Sequence, residues 1–198
     1  MFQLEISKSA QAKEIVVGKI KVHEFISLDG VIEQPTWTFD YPSDPKMGEA
    51  IGSMMGSTAA ILLGRRTYEE FAPAWSARTA QEDPGAPFMN DSPKYVVSGT
   101  LQDPDWNNST VLGSYDAEAI QSLKDRVDGD FYVSGSGTLV RAMLADGLVD
   151  ELHLFVFPLV LGEGKRLFAE STSKTKLELG GVDSYSSGVV HLTYRKAH

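Results

Sequence analysis

Three short segments of this 198-residue chain place hydroxyls, arginines and glycines directly after apolar runs. In one, Phe131-Tyr-Val133 leads into Ser134-Gly135-Ser136-Gly137-Thr138-Leu139. Glycine reaches torsions closed to other residues and lets a ligand approach the backbone closely. A helix opening at Thr138 would offer free amides and a partial positive charge, the chemistry that holds a phosphate. Ser136 and Thr138 add hydroxyl donors. A plain strand-to-helix turn has the same pattern, and Gly-x-Gly alone does not separate the two.

The second segment, Leu62-Leu63-Gly64-Arg65-Arg66-Thr67, repeats the order of apolar run, glycine and helix start, with two arginines opening the helix. Cations oppose the dipole at that end. Arg65 and Arg66 make sense there if an anion compensates them, and arginine suits a ribose 2'-phosphate. A solvated pair facing Glu69 or Glu70 is the other reading. The third segment is Val96-Val97-Ser98-Gly99-Thr100. Each turn alone is weak evidence; three at neighbouring strand ends would form one rim of amides and hydroxyls.

Other residues carry weaker indications. Asp29 could orient a substrate or relay a proton, although Asp-Gly is a common turn pair. Trp37 and Asp40, in a proline-rich loop, could cover a planar ring, or Trp37 could pack on the core. Glu49 could anchor a substrate, or be an exposed helix carboxylate. Lys165 and Arg166 could meet a phosphate, or be a solvated basic pair. No metal is expected: the chain has no cysteine, and His23, His153, His191 and His198 lack ligand spacing.

These residues need elements to position them. Lys19 to Ile26 alternates and reads as a strand; Lys46 to Met55 has helical spacing. Ala59 to Leu63 reads as a buried strand, followed by a helix from Arg65 that Pro73 stops. Thr79 to Asp91 reads as loop, Lys94 to Val97 as a strand, and Asp116 as the cap of a helix reaching Arg126. Phe131 to Val133 is a strand, Thr138 to Ala145 a helix closed by Gly147, and Val149 to Phe157 a strand. Lys176 to Leu179 and Val189 to Tyr194 read as an antiparallel pair. Strand, glycine turn and helix in repetition mean an α/β fold: a mostly parallel sheet with helices on both faces.

Composition bounds the partners. A net charge of -9 disfavours nucleic acid and anionic membranes, leaving a small molecule in a locally basic pocket. No apolar run is long enough to span a bilayer. Met1 to Gly18 lacks the pattern of a signal segment, and cysteine-free composition suits the cytoplasm. The expected organisation is a single domain over residues 19–198, preceded by an extension over residues 1–18.

Taken in order, the segments resemble the dihydrofolate-reductase-like superfamily, and within it stand-alone relatives of the reductase domain of the riboflavin-biosynthesis deaminase-reductase (RibD C-terminal). The resemblance lies in Phe25-Ile-Ser-Leu-Asp-Gly30, Leu63-Gly-Arg-Arg-Thr-Tyr-Glu69, Tyr95-Val-Val-Ser98, Val133-Ser-Gly-Ser-Gly-Thr138, Gly147-Leu-Val-Asp-Glu-Leu152 and Pro158-Leu-Val-Leu-Gly-Glu-Gly-Lys-Arg-Leu-Phe168. It implies a three-layer αβα fold whose central sheet has about eight strands and an antiparallel C-terminal edge. It implies NADPH as cofactor, with Arg65, Arg66 and Thr67 after Gly64 at its phosphates and Ser98-Gly99 near the adenosine ribose or its 2'-phosphate. Gly135, Ser136, Gly137, Thr138 and Leu139 would line the pyrophosphate and nicotinamide, with a cis peptide at Gly135-Ser136. Ser27, Asp29 and Gly30 would border the nicotinamide and substrate.

Relative to the riboflavin reductases, Ser134 stands where an acid is usual and His23 where a lysine is usual. Relative to folate reductases, the position of the pterin-holding carboxylate falls at Gly48, with Glu49 one residue away. The resemblance therefore implies an NADPH-dependent reductase of a small heterocyclic or carbonyl substrate. The other readings are a true 5-amino-6-(5-phosphoribosylamino)uracil reductase, a dihydrofolate reductase, or a nucleotide-binding module without catalysis. The family further implies a homodimer, formed through Leu152 to Phe157 and Val189 to Tyr194.

Overall fold

The computed structural model describes residues 18–168 and 174–197. The expected extension, apart from Gly18, and the terminal His198 lie outside the described residues.

Eight strands form one sheet in the order β4-β3-β2-β5-β1-β6-β8-β7. They are β1 (Ile20–Ser27), β2 (Thr58–Gly64), β3 (Lys94–Val97), β4 (Ser109–Gly113), β5 (Asp130–Ser134), β6 (Glu151–Phe157), β7 (Leu177–Ser184) and β8 (Val190–Lys196). The run from β4 to β6 is parallel, and β8 and β7 close it antiparallel. The helices are α1 (Pro45–Gly56), α2 (Arg65–Trp75), α3 (Ala86–Asp91), α4 (Ala117–Arg126) and α5 (Gly137–Ala145), with a 3-10 turn at Pro35–Asp40.

Alternation along the strands builds two cores. Ile20, Val22, Leu62, Phe131 and Val133 pack with Ile120 and Leu123 of α4 and with Leu139 and Met143 of α5. Ile61, Leu63, Tyr132 and Phe155 face the other way, onto Met54 of α1, Tyr68 of α2 and Met89 of α3. Apolar residues that alternate sides on one strand require a helix layer on each face. The expected three-layer αβα fold is therefore present. No helix among the described residues is long and apolar enough to cross a membrane.

Local chemistry sets the helix ends. The Asp116 carboxylate accepts from the Glu118 and Ala119 amides, capping α4 as expected. Gly147, at φ +66°, ends α5: its amide and that of Leu148 return to the Leu144 and Met143 carbonyls.

Two expectations need correction. Pro73 does not stop α2, which runs on to Trp75. Pro73 is exposed, near the helix end, so the single bond it removes leaves a carbonyl that water can reach. Residues 79–91 are not all loop, because Pro87 opens α3 at a position where its missing N–H costs nothing. The strand β4 was not foreseen. It is a short edge, nowhere fully buried, and so lacks the apolar run that marks an interior strand.

Candidate functional site

Strand lengths make the site. The β1–β5 register ends at His23 opposite Ser134, whereas β1 continues beside β6 to Ser27. On its other side β5 is last matched at Tyr132, opposite Ile61, while β2 reaches Gly64. The short central strand leaves a gap between β1 and β2 at their carboxyl ends, where open α/β sheets bind ligands. A cleft of about 690 Å³ occupies it.

Both flanking glycine turns enter this gap. Gly64 stands at the N-cap of α2 and Ser136 at that of α5; glycine has no side chain to cap with, and the Ser136 hydroxyl does not cap its own helix. The first-turn amides of two helices thus face one cavity, the arrangement that attracts anions. The Ser136 hydroxyl instead accepts from the Gly64 amide at 3.0 Å, and the Ser136 amide donates to the Thr67 hydroxyl at 2.8 Å. Gly135 and Ser136 both hold left-handed backbone, at φ +63° and +57°. A Cβ on Gly135 would meet Thr67 at 3.2 Å, so the turn requires glycine there.

Gly64, Arg65, Arg66, Thr67, Ser98, Gly99, Gly135, Ser136, Gly137, Thr138 and Leu139 all line this cleft. Arg65 is ion-paired with Glu69 at 2.8 Å on the exposed helix face. The Arg66 guanidinium forms no hydrogen bond or ion pair among the described residues. Ser98 turns its hydroxyl inward to accept from the Thr100 and Leu101 amides, so it shapes the turn. The Gly135–Ser136 peptide is trans, since no cis bond occurs among the described residues. Two successive left-handed residues turn the chain there instead.

Other expected residues lie off the cleft. Ser27 is buried: it donates to Asp29 at 2.6 Å and accepts from the Val31 amide. Asp29 also accepts from the Leu161 and Gly162 amides and pairs with Arg166 at 3.2 Å. The Ser27 hydroxyl and then those amides hold its carboxyl well below the usual range, so it carries no proton to relay at neutral pH. Asp29 and Gly30 thereby clasp the 158–168 loop to the end of β1. Trp37, half-buried, packs edge-on against Phe157 of the core at 5.3 Å. Asp40 and Glu49 are exposed and line no part of the cleft. Lys165 and Arg166 do line it, engaged with Glu33 and Asp29.

Glu24 was missed. It is 2 % exposed, yet forms part of the cleft wall. Its Oε2 accepts from the Gly135 amide at 3.2 Å, and Oε1 is buried without a partner. Burial raises its carboxyl well above the usual range, the amide opposing only in part. The signal lay in the alternation: a carboxylate holds a core-facing place between Val22 and Ile26. On the other face His23 hydrogen-bonds Tyr132 at 2.6 Å and lines no cleft.

Comparison with known proteins agrees with this geometry. Residues 18–191 match the RibD C-terminal domain family, and the chain belongs to it. YyaP, an uncharacterized protein of Bacillus subtilis (strain 168), is 30% identical over 176 residues, covering 85% of this chain and 90% of that protein. A crystal structure of a putative riboflavin biosynthesis protein from Shewanella sp. PV-4 superposes with a TM-score of 0.76 at 19% identity, over 91% of this chain and 99% of that one. Dihydrofolate reductase from Enterococcus faecalis, complexed with NADP(H), superposes with a TM-score of 0.57 at 16% identity, over 92% and 98% of the two chains. The fold is thus that of the dihydrofolate reductases, and the family is that of the RibD C-terminal domain.

Proposed function

We propose that this chain is an NADPH-dependent reductase that transfers a hydride to a small heterocyclic or carbonyl substrate. The observation that carries this reading is the clasp between Ser136 and Gly64, which aims two helix N-termini at one cleft. The residues fit a phosphorylated dinucleotide: α2 and α5 supply amides for phosphates, and Gly135 and Gly137 let Thr67 and Ile32 pack close against the turn that carries them. Arg66, uncommitted, would meet a 2'-phosphate, joined by Arg65 on release from Glu69. The NADP(H) bound by the Enterococcus reductase is further support.

When bound, the cofactor supplies the hydride. The chain's part would be to hold the two reacting rings in the cleft, where Phe25 and Ile32 add apolar lining, and to let a proton reach the product. A phosphoribosylamino-pyrimidine is the alternative substrate; the Shewanella protein's name points only to riboflavin biosynthesis in general. His23 and Ser134 replace the lysine and acid usual in such reductases, which argues for a different small ring. Glu49, exposed, gives no support to folate.

The test is fluorescence titration of NADPH against NADH on wild type, Arg65→Ala and Arg66→Ala. Preference for NADPH and a loss of about 1–3 kcal/mol in the arginine variants are expected, the usual cost of a charge-assisted contact. Equal affinity for both cofactors, unchanged in the variants, refutes the reading. Saturable NADPH binding without oxidation by pterins, pyrimidines or quinones would favour a binding module.

We also propose a cytoplasmic homodimer acting on small molecules, with neither nucleic acid nor membrane as partner. The candidate surface is residues 152–157 and 189–194, whose strands pair on both sides and so would meet a partner through a face, with β7 beside them exposing Leu179 and Val182. Light scattering on wild type and Val182→Lys checks it.

A further inference from the structure

Glu24 interrupts a core-facing row. Val22 and Ile26, two residues to either side on the same face of β1, are buried. Because β5 ends opposite His23, the chain at Gly135 turns across Glu24 instead of continuing beside it. One carboxyl oxygen takes the Gly135 amide, and the other, Oε1, is buried with no partner, in a residue that forms part of the cleft wall. An unpaired buried polar atom is costly, and where one borders a cavity a ligand can complete it. Phe25 and Ile32 add apolar surface to the same cleft, and Gly135 adds backbone to it. An unpaired polar atom among apolar surface is the pairing that a flat heterocycle answers.

We propose that Glu24 recognises a ring held in the cleft, its Oε1 donating a hydrogen bond to an amide-type carbonyl on a planar heterocycle. This rests on the reductase reading. Two rings of such a reaction carry that carbonyl: the carboxamide-bearing nicotinamide, and a lactam-bearing substrate.

Donation needs a carboxyl that keeps its proton, and burial supplies this by pushing Glu24 well above its usual range. The charged and titratable neighbours do not offset it. His23 on β1 and Tyr132 on β5 bond each other on the opposite face. Arg65 of α2 is paired with Glu69, and Arg141 of α5 with the Arg166 and Leu167 carbonyls. Arg66 of α2 and Lys165 share the cleft, but no ion pair to Glu24 forms among the described residues.

The experiment is infrared difference spectroscopy of the full chain at neutral pH, wild type minus Glu24→Gln. It is run with no addition, with NADP+, and with NADP+ plus lumazine, a flat pteridine dione. A protonated-carboxyl band in the free protein is expected, moving to lower frequency on binding. Movement with NADP+ alone assigns the nicotinamide; movement only after lumazine assigns the substrate ring. Calorimetry should show Glu24→Ala binding the band-shifting compound about three- to tenfold more weakly, the effect of one hydrogen bond. Glu24→Gln, which keeps a donor, should lose less. An ionised carboxylate in the free protein, a band unmoved in both arms, or unchanged affinity in Glu24→Ala overturns the proposal. Calorimetric failure of wild type to bind NADP+ counts against the reductase reading instead, and the band in the lumazine arm still decides the role of Glu24.

Discussion

Ser136 and Gly64, 72 residues apart in the chain, are joined by a hydrogen bond of 3.0 Å from the Gly64 amide to the Ser136 hydroxyl. Each caps a helix, α5 and α2, so this contact fixes the angle between two sets of free amides. Ser136→Ala should cost about 0.5–1.5 kcal/mol of stability, the net worth of one hydrogen bond. NADPH affinity should fall as well, because the amides lose their common aim. Urea denaturation and NADPH titration measure the two; loss of stability with unaltered affinity would mean the clasp is structural only.

Gly135→Ala tests the turn itself. Its φ of +63° is costly for a residue with a side chain, and the added Cβ would press on Thr67 at 3.2 Å. A loss of about 1–2 kcal/mol is expected from the torsion alone, with more from the contact. Thermal unfolding reads it.

The histidines predict a pH response. Burial, then repulsion from His153 and His191, lowers His23 to about 3, and His191 is lowered to about 4, chiefly by burial. Such groups are neutral when folded and take up a proton when unfolded below their ordinary value of 6.5. Their contribution is therefore complete above pH 6.5 and is lost as the pH falls from there towards 4 and 3. In His23→Gln the fall in stability over this window should be shallower by up to about 1.4 kcal/mol per pH unit. An identical slope would show that His23 is protonated in the folded protein.

Glu24 acts in the opposite sense. Its folded value is raised, so its contribution is present below its ordinary 4.5 and is lost as the pH rises from there. At pH 8 Glu24→Gln should melt above wild type, and the difference should shrink towards pH 5. A variant less stable at pH 8 would count against a buried neutral carboxyl.

Lys94 is fully buried, and its ammonium donates to the Asn90, Ser92 and Asn107 carbonyls, 4.5 Å from the Trp106 ring centre. Lys94→Met keeps the volume and orphans those carbonyls. A loss of about 1–3 kcal/mol in urea denaturation is expected, the penalty for unpaired buried groups.

Local patterns carried most of the architecture. The apolar runs at residues 59–63 and 131–133, the Asp116 cap and the Gly147 stop all rest on interactions within a few residues, and the structure keeps them. The three glycine turns were legible for the same reason, since strand, glycine and helix are consecutive in the chain. β4 escaped because an edge strand needs no apolar face, and Trp37 was ambiguous because a loop aromatic serves lid and core equally well.

The amino-acid sequence by itself determined the α/β class, the two arginines after Gly64 and the glycine turn after β5, because each is a property of neighbours in the chain. Only the tertiary structure decided which residues share the cleft. It drew Asp29 away into a clasp with Ser27 and Arg166, and it set Glu24 against the amide of Gly135. Those outcomes follow from where β5 ends relative to β1, a register between distant segments that hydrogen bonding across the sheet settles and no local pattern records.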